Sequence, residues 1–130
     1  MSVRLSERKE SNLKYVQLGQ QLCQHTFQLC NNPNHFPEPI LPNAIKQEVI
    51  EILKNIRYLL STVTLDKTNS DNLTKYTIDA FAHIDALYSL LELAYNDKTY
   101  KIKPTSMEYW VGLVVQLEQS LEKLGSISIC

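Results

Sequence analysis

The feature that most limits the fold of this chain is a repeated spacing of three and four residues between its apolar side chains. Four stretches show this spacing, at about 11–30, 42–64, 71–95 and 104–125. Such a spacing places apolar side chains on one face of an α-helix. The chain has only three glycines in 130 residues, which disfavours tight hairpins because these need residues that tolerate positive φ. The sequence therefore predicts four helices and no sheet.

The connections between these stretches predict how the helices are arranged. Residues 31–42 contain four prolines, which lack an amide donor and disfavour the helical region for the residue before them, so we expect an irregular crossing loop there. The two other connections are short and polar. We predict an all-α, single-domain, up-down-up-down antiparallel four-helix bundle over residues 11–126, preceded by a loose N-terminal arm at 1–10.

The composition excludes several classes of protein. The formal net charge is -1, so the chain as a whole is not a cationic nucleic-acid binder. Its three cysteines indicate neither a disulfide framework nor a zinc site. The N-terminus has no apolar signal core, and no run reaches the roughly 18 apolar residues of a membrane span. We expect a soluble, cytoplasmic protein without metal or cofactor.

The connection before the fourth helix, "NDKTYKIKP", is the densest local cluster of positive charge. A turn of this kind can present ammonium groups to phosphates while an aromatic ring stacks on a base. Another explanation for the lysines is structural. Their positive charges would interact favourably with the negative C-terminal end of the preceding helix dipole, and they would keep the loop hydrated. The candidate nucleic-acid-binding residues are Lys98, Lys101, Lys103 and Tyr100.

The start of the fourth helix is apolar on nearly every side. A helix that is apolar on two faces needs a second partner besides its own core, which indicates an oligomer or a heterologous protein contact. We place Trp110, Val114 and Tyr109 at this interface, with the indole as an aromatic anchor. The alternative is a larger core that holds them all.

Catalytic motifs are missing from the sequence. Asp79 and His83 are four residues apart on one helical strip, where a solvent-edge ion pair or interface contact is favoured over a metal site. Cys23 lies on the apolar side of the first helix, where an inert thiol is expected. Ribonuclease-like bundles of the HEPN type carry an Arg followed a few residues later by a His, and Arg57 has no such His after it. We predict that the chain is not an enzyme.

Several segments, in this order, resemble a known family: "KYVQLGQQL", "HFPEP", "IKQEVIEILKNIRYLL", "IDAFAHIDALYSLLELAYNDKTYKI" and "YWVGLVVQLEQSLEKLG". They are similar to the small four-helix bundle proteins that include the accessory variability determinant of diversity-generating retroelements and the proteins encoded in intervening sequences of ribosomal RNA genes. The similarity spans about residues 13–125. Tyr88, Glu92 and Ser120 stand where that family often has arginine.

The resemblance implies a non-enzymatic subunit that assembles into a homopentamer and binds a reverse transcriptase and its structured RNA or DNA. A second hypothesis is a protein-interaction bundle that docks a partner enzyme without binding nucleic acid. A third is a bundle associated with a nuclease or nucleotidyltransferase.

Overall fold

A computed structural model describes residues 14–64 and 70–129, with side chains described at 14–62 and 72–124. These residues form four helices, α1 (Lys14–Cys30), α2 (Ile40–Thr64), α3 (Ser70–Asn96) and α4 (Pro104–Ile129). No strand occurs in these described ranges. The predicted all-α class is confirmed, whereas the predicted N-terminal arm lies outside the described residues.

The four helices form an up-down-up-down bundle, as predicted. Each helix packs on two others, in the pairs α1–α2, α2–α3, α3–α4 and α4–α1. Contacts such as that of His25, late in α1, with Ser106, early in α4, show that neighbouring helices run antiparallel. The crossing loop (31–39) and the connection between α3 and α4 therefore lie at the same end of the bundle.

The core is a continuous apolar cluster to which all four helices contribute. Its large side chains with less than 2 % exposure include Trp110, Tyr15, Leu22, Ile45, Ile52, Leu59, Ile84, Leu87, Leu91, Leu117, Leu121 and Val49. Burying each of them contributes about 1.5–3 kcal/mol from the loss of hydrated apolar surface. The stripe predicted for α3 is confirmed in the described residues, with Ala80, Ile84, Leu87 and Leu91 at its centre.

Two helix ends differ from the prediction. Helix α2 begins at Ile40, two residues before the predicted start, because the Glu38 carboxylate accepts hydrogen bonds from the backbone N–H of Ile40 (2.6 Å) and Leu41 (3.1 Å). These are donors that lack partners in the first turn of a helix. Helix α4 continues to Ile129, so the prediction that Gly125 ends it is wrong.

Helices α1 and α2 pack closely at Gly19. A Cβ on Gly19 would come within 2.7 Å of Ile56 Cδ1 and 3.3 Å of Leu53 Cδ2. The missing side chain thus lets these two helices pack at short range. Within the described residues, none of the helices is long and apolar enough to cross a bilayer.

Candidate functional site

The connection that carries the three lysines is a folded turn with its own backbone hydrogen bonds. The Asp97 N–H donates to the Leu93 carbonyl (3.1 Å), and the Tyr100 N–H donates to the Asp97 carbonyl (3.1 Å). The Thr99 N–H donates to Asp97 Oδ1 (2.9 Å). Hydrogen bonding of the Asp97 carboxylate with Thr99 holds the pKa of Asp97 below its ordinary value of 3.8. We call residues 97–103 the lysine turn.

The crossing loop holds the lysine turn in place. The Lys101 N–H donates to the His35 carbonyl (3.1 Å), and the Tyr100 hydroxyl donates to Glu38 Oε1 (2.8 Å). The Tyr100 ring also packs against the buried Phe36, with centroids 5.4 Å apart. Glu38 and Tyr100 are 62 residues apart in the chain. These contacts therefore join two distant segments at one end of the bundle.

The Glu38–Tyr100 bond shifts the pKa of both groups. Partial desolvation raises the pKa of the Glu38 carboxyl, but the hydrogen bonds from Tyr100 and from the backbone of Leu41 and Ile40 outweigh it, so this pKa lies below 4.5. The same hydrogen bond to Glu38, followed by desolvation, raises the pKa of Tyr100 above 10.0. Both shifts have the same origin, because the hydrogen bond forms between the charged carboxylate as acceptor and the neutral phenol as donor.

All four predicted nucleic-acid-binding residues lie in the lysine turn, and they differ in their contacts. Lys98, Lys101 and Lys103 are exposed. None of their ammonium groups makes an ion pair or hydrogen bond with any residue the structure describes. Tyr100 is different, because its ring packs on Phe36 and its hydroxyl bonds to Glu38. That Tyr100 stacks on a base stays a prediction.

Acidic groups lie near the lysine turn in the chain and at the same end of the bundle. Glu92 precedes it on α3, Asp97 begins it and Glu108 follows it on α4, all exposed. Glu38 contacts it through Tyr100. The three lysines therefore do not form an uncompensated positive patch within one copy of the chain.

The structure does not place Trp110 and Val114 on the surface, where we predicted an interface. Both are 0 % exposed, and the Trp110 Nε1–H donates to Thr26 Oγ1 of α1 (2.9 Å). His25 packs edge-on against the indole, with ring centroids 5.8 Å apart. The prediction for these two residues is wrong, since the core of a single chain accommodates them. Tyr109 is 53 % exposed and also packs against His25, at 4.8 Å.

The sequence contained the signal for the burial of Trp110. It precedes Leu113 by three residues and Leu117 by seven, the spacing of one helical face. The buried stripe of α4 is Met107, Trp110, Leu113, Val114, Leu117, Leu121 and Leu124. The prediction instead grouped Trp110 with Tyr109 at an interface, because the start of this helix is apolar on nearly every side.

A groove of about 480 Å³ between α3 and α4 was not predicted. Its lining residues combine apolar side chains with two carboxylates, and they are Tyr88, Leu91, Glu92, Tyr95, Pro104, Met107, Glu108 and Val111. Tyr95 is 61 % exposed. The hydroxyl of Tyr88, another lining residue, donates to Glu118 Oε1 (3.3 Å). Burial, followed by the charge of Glu118, raises the pKa of Tyr88 to about 12. The signal in the sequence was an aromatic residue outside the buried stripe of α3.

Asp79 and His83 do not act as a pair. His83 Nδ1 lies 2.6 Å from Glu48 Oε2 of α2, where both side chains are partly buried, and Asp79 is exposed. Among the residues that the structure describes, no three His, Cys, Asp or Glu side chains lie together as a metal site would require. Burial raises the pKa of Cys23 and raises that of Cys30 to about 12, which disfavours the thiolate form of both side chains.

Comparison of the chain with protein-family models, curated proteins and solved structures found no match in any of the three.

Proposed function

We propose that the chain is a non-enzymatic accessory subunit that self-associates and binds a reverse transcriptase together with its structured RNA, as in a diversity-generating retroelement. The observation that carries the proposal is the lysine turn, which the crossing loop holds by the Tyr100–Glu38 hydrogen bond (2.8 Å) and the Lys101–His35 hydrogen bond (3.1 Å). A fixed turn presents its charges without a large loss of conformational entropy on binding.

Assembly would provide the charge density that one copy lacks. Each copy contributes three unpaired lysines at one end of the bundle, beside exposed Asp97 and Glu108. In a ring, several such turns would face one RNA, and the second and later contacts would be intramolecular. Binding to RNA then depends on the number of copies, in keeping with a net charge of only -1 for each chain.

Binding to RNA is tested by replacing the three lysines with glutamine. The variant with Lys98→Gln, Lys101→Gln and Lys103→Gln loses three positive charges. A matched control, with Gln24→Glu, Gln116→Glu and Gln119→Glu at exposed positions of α1 and α4, changes the net charge by the same amount elsewhere. Fluorescence anisotropy with a labelled stem-loop RNA is measured over a range of salt concentrations.

We expect the lysine variant to bind more weakly and to lose about 2–3 units of the slope of log K against log salt, since each phosphate contact contributes about 0.7–0.9. The control should bind the RNA with nearly the affinity of the original chain, because its added negative charges lie outside the lysine turn and have only a small non-specific effect. Equal binding by the original chain and the lysine variant would refute the role of the lysine turn.

The second candidate, a bundle that docks a partner enzyme without nucleic acid, is favoured by the groove between α3 and α4. Its apolar floor and the carboxylates of Glu92 and Glu108 at its edge suit a partner segment with apolar and basic side chains. Tyr95→Ser would weaken binding to such a partner. Binding of a partner enzyme in the absence of RNA, weakened by Tyr95→Ser and unchanged in the variant of Lys98, Lys101 and Lys103, would favour this candidate over the first.

A further inference from the structure

A second surface, at the end of the bundle away from the lysine turn, combines aromatic rings with positive charge. Tyr58 of α2 and Tyr76 of α3 pack side by side, with ring centroids 5.0 Å apart and ring planes 33° apart. Each follows a basic residue in the chain, Arg57 and Lys75 respectively. We call these four residues, together with Lys54, the tyrosine face.

The rings of the tyrosine face are accessible. Tyr58 is 51 % exposed although it is a large aromatic side chain. Tyr76 is partly buried against the core, which fixes the position of the pair. Lys75 Nζ lies 5.9 Å from the centroid of the Tyr76 ring. One ring of the pair is thus fixed against the core and the other is exposed to solvent, and a fixed, exposed aromatic ring can stack on an unpaired base.

The tyrosine face carries three positive charges, with acidic residues about one turn away along both helices. Residues 52–62 of α2 and 72–78 of α3 contain Lys54, Arg57 and Lys75 and no acidic residue, whereas Glu51 and the exposed Asp79 flank these ranges. Lys54 pairs with Glu51 one turn earlier (3.1 Å). Arg57 and Lys75 are exposed and make no ion pair with any residue in the described part of the chain. Helix α1, which packs on α2, likewise has no acidic residue.

We infer that the tyrosine face binds single-stranded nucleic acid, with bases stacked on Tyr58 and Tyr76 and phosphates contacted by Arg57, Lys75 and Lys54. Base stacking tolerates any sequence, since every base has an aromatic face. A paired duplex cannot offer its bases to these rings, so the face prefers single strands. This inference does not require that the lysine turn bind RNA, because the two surfaces lie at opposite ends of the bundle.

The test measures the anisotropy of labelled 12-nucleotide oligouridylate and of a duplex RNA of the same length. The ring variant is Tyr58→Ser, and its control is Ile40→Ser, which removes a large exposed apolar side chain at the other end of the bundle. The charge variant carries Lys54→Gln, Arg57→Gln and Lys75→Gln. Its control is the variant with Gln24→Glu, Gln116→Glu and Gln119→Glu. Circular dichroism melts verify that every variant is folded.

We expect Tyr58→Ser to weaken binding of oligouridylate about 5- to 100-fold, as expected for the loss of one stacked base, and to leave duplex binding nearly unchanged. The charge variant should reduce the salt slope by about 2, since each contact to a single strand contributes about 0.7. Both controls should bind oligouridylate as the original chain does.

The outcomes separate this inference from the proposed function. Loss of oligouridylate binding in the tyrosine-face variants supports the inference, whether or not the variant of Lys98, Lys101 and Lys103 also loses binding. Loss only in the variant of Lys98, Lys101 and Lys103 refutes it and leaves the lysine turn as the RNA site. Unchanged binding by Tyr58→Ser, stronger binding of duplex than of single strand, or no binding of oligouridylate by the original chain also refutes it.

Discussion

At the scale of single residues, the contact between Trp110 and Thr26 best shows how the core of this bundle is specified. The indole is fully buried between α1 and α4, and its only polar atom finds an acceptor in a hydroxyl that is itself 0 % exposed. A buried N–H without a partner would cost about 1–3 kcal/mol. The pair therefore explains how an aromatic residue that seemed suited to an interface is accommodated inside one chain.

Thr26→Val keeps the shape of the side chain and removes the acceptor. We expect it to destabilise the chain by about 1–3 kcal/mol, because the indole N–H then has no partner. Denaturant unfolding measures the change, with Thr74→Val at an exposed site of α3 as the control. In a Trp110→Phe background the cost of Thr26→Val should fall, since the donor has gone. The same cost in both backgrounds would contradict the role of this hydrogen bond.

The Glu38–Tyr100 bond predicts how stability depends on pH. The pKa of Glu38 is lower in the folded chain than its ordinary value of 4.5, so its contribution is complete well above 4.5 and is lost as the pH falls through the lower, folded pKa. The pKa of Tyr100 is raised above 10.0, so its contribution is complete well below 10.0 and is lost as the pH rises through the folded value.

Removing the carboxylate tests this pH dependence. Glu38→Gln should lower the melting temperature at neutral pH and should flatten the fall in stability at acid pH. Thermal melts between neutral and acid pH, compared with Glu108→Gln on the exposed side of α4, measure the effect. An acid limb of unchanged steepness in Glu38→Gln would show that the hydrogen bonds to this carboxylate do not stabilise the folded state.

At the scale of elements, Gly19 and Gly112, each inside a helix, have opposite surroundings. Gly19 lies where α1 meets α2, and a Cβ there would contact Ile56 Cδ1 at 2.7 Å. A Cβ on Gly112 would meet no atom within 4 Å. Glycine inside a helix costs about 1 kcal/mol relative to alanine. The packing of α1 on α2 offsets that cost at Gly19, whereas no contact with the described part of the chain does so at Gly112.

Alanine substitution should separate the two positions. Gly112→Ala is expected to stabilise the chain by about 0.5–1 kcal/mol through helix propensity alone. Gly19→Ala gains the same propensity but must displace the buried Ile56 side chain, so it should be less stable than Gly112→Ala by about 1–3 kcal/mol. Urea unfolding at low protein concentration gives both values. If Gly19→Ala proved at least as stable as Gly112→Ala, the close approach of α1 and α2 would be wrong.

At the scale of the whole molecule, the burial of Trp110 changes the argument for assembly. Much of the apolar surface that we assigned to a partner lies in the core of one chain. What is left outside is smaller, and its largest members on α3 and α4 are Ile78, Leu93, Tyr95, Tyr109 and Val115, each at least 36 % exposed. The self-association that we propose would therefore have to use these residues and the groove between α3 and α4.

If copies of the chain assemble through that groove, stability should depend on concentration. We expect the melting temperature to rise with protein concentration, because binding between folded copies favours the folded state. The double variant with Tyr95→Ser and Val111→Gln should abolish this rise, and Tyr58→Ser should preserve it. Light scattering that gives the mass of one chain at all concentrations, with a constant melting temperature, would refute the assembly.

The sequence by itself determined the number, type and approximate limits of the helices, because an apolar spacing of three and four residues depends on local geometry alone. It also located the exposed lysines, since three charges in a short polar turn have no reason to be buried. Only the tertiary structure decided what lies between the helices. It placed Trp110 against Thr26, Tyr100 against Glu38, and Tyr58 beside Tyr76. Such contacts depend on which faces of separate helices meet, and that is set by packing of the whole core rather than by the pattern within any one helix.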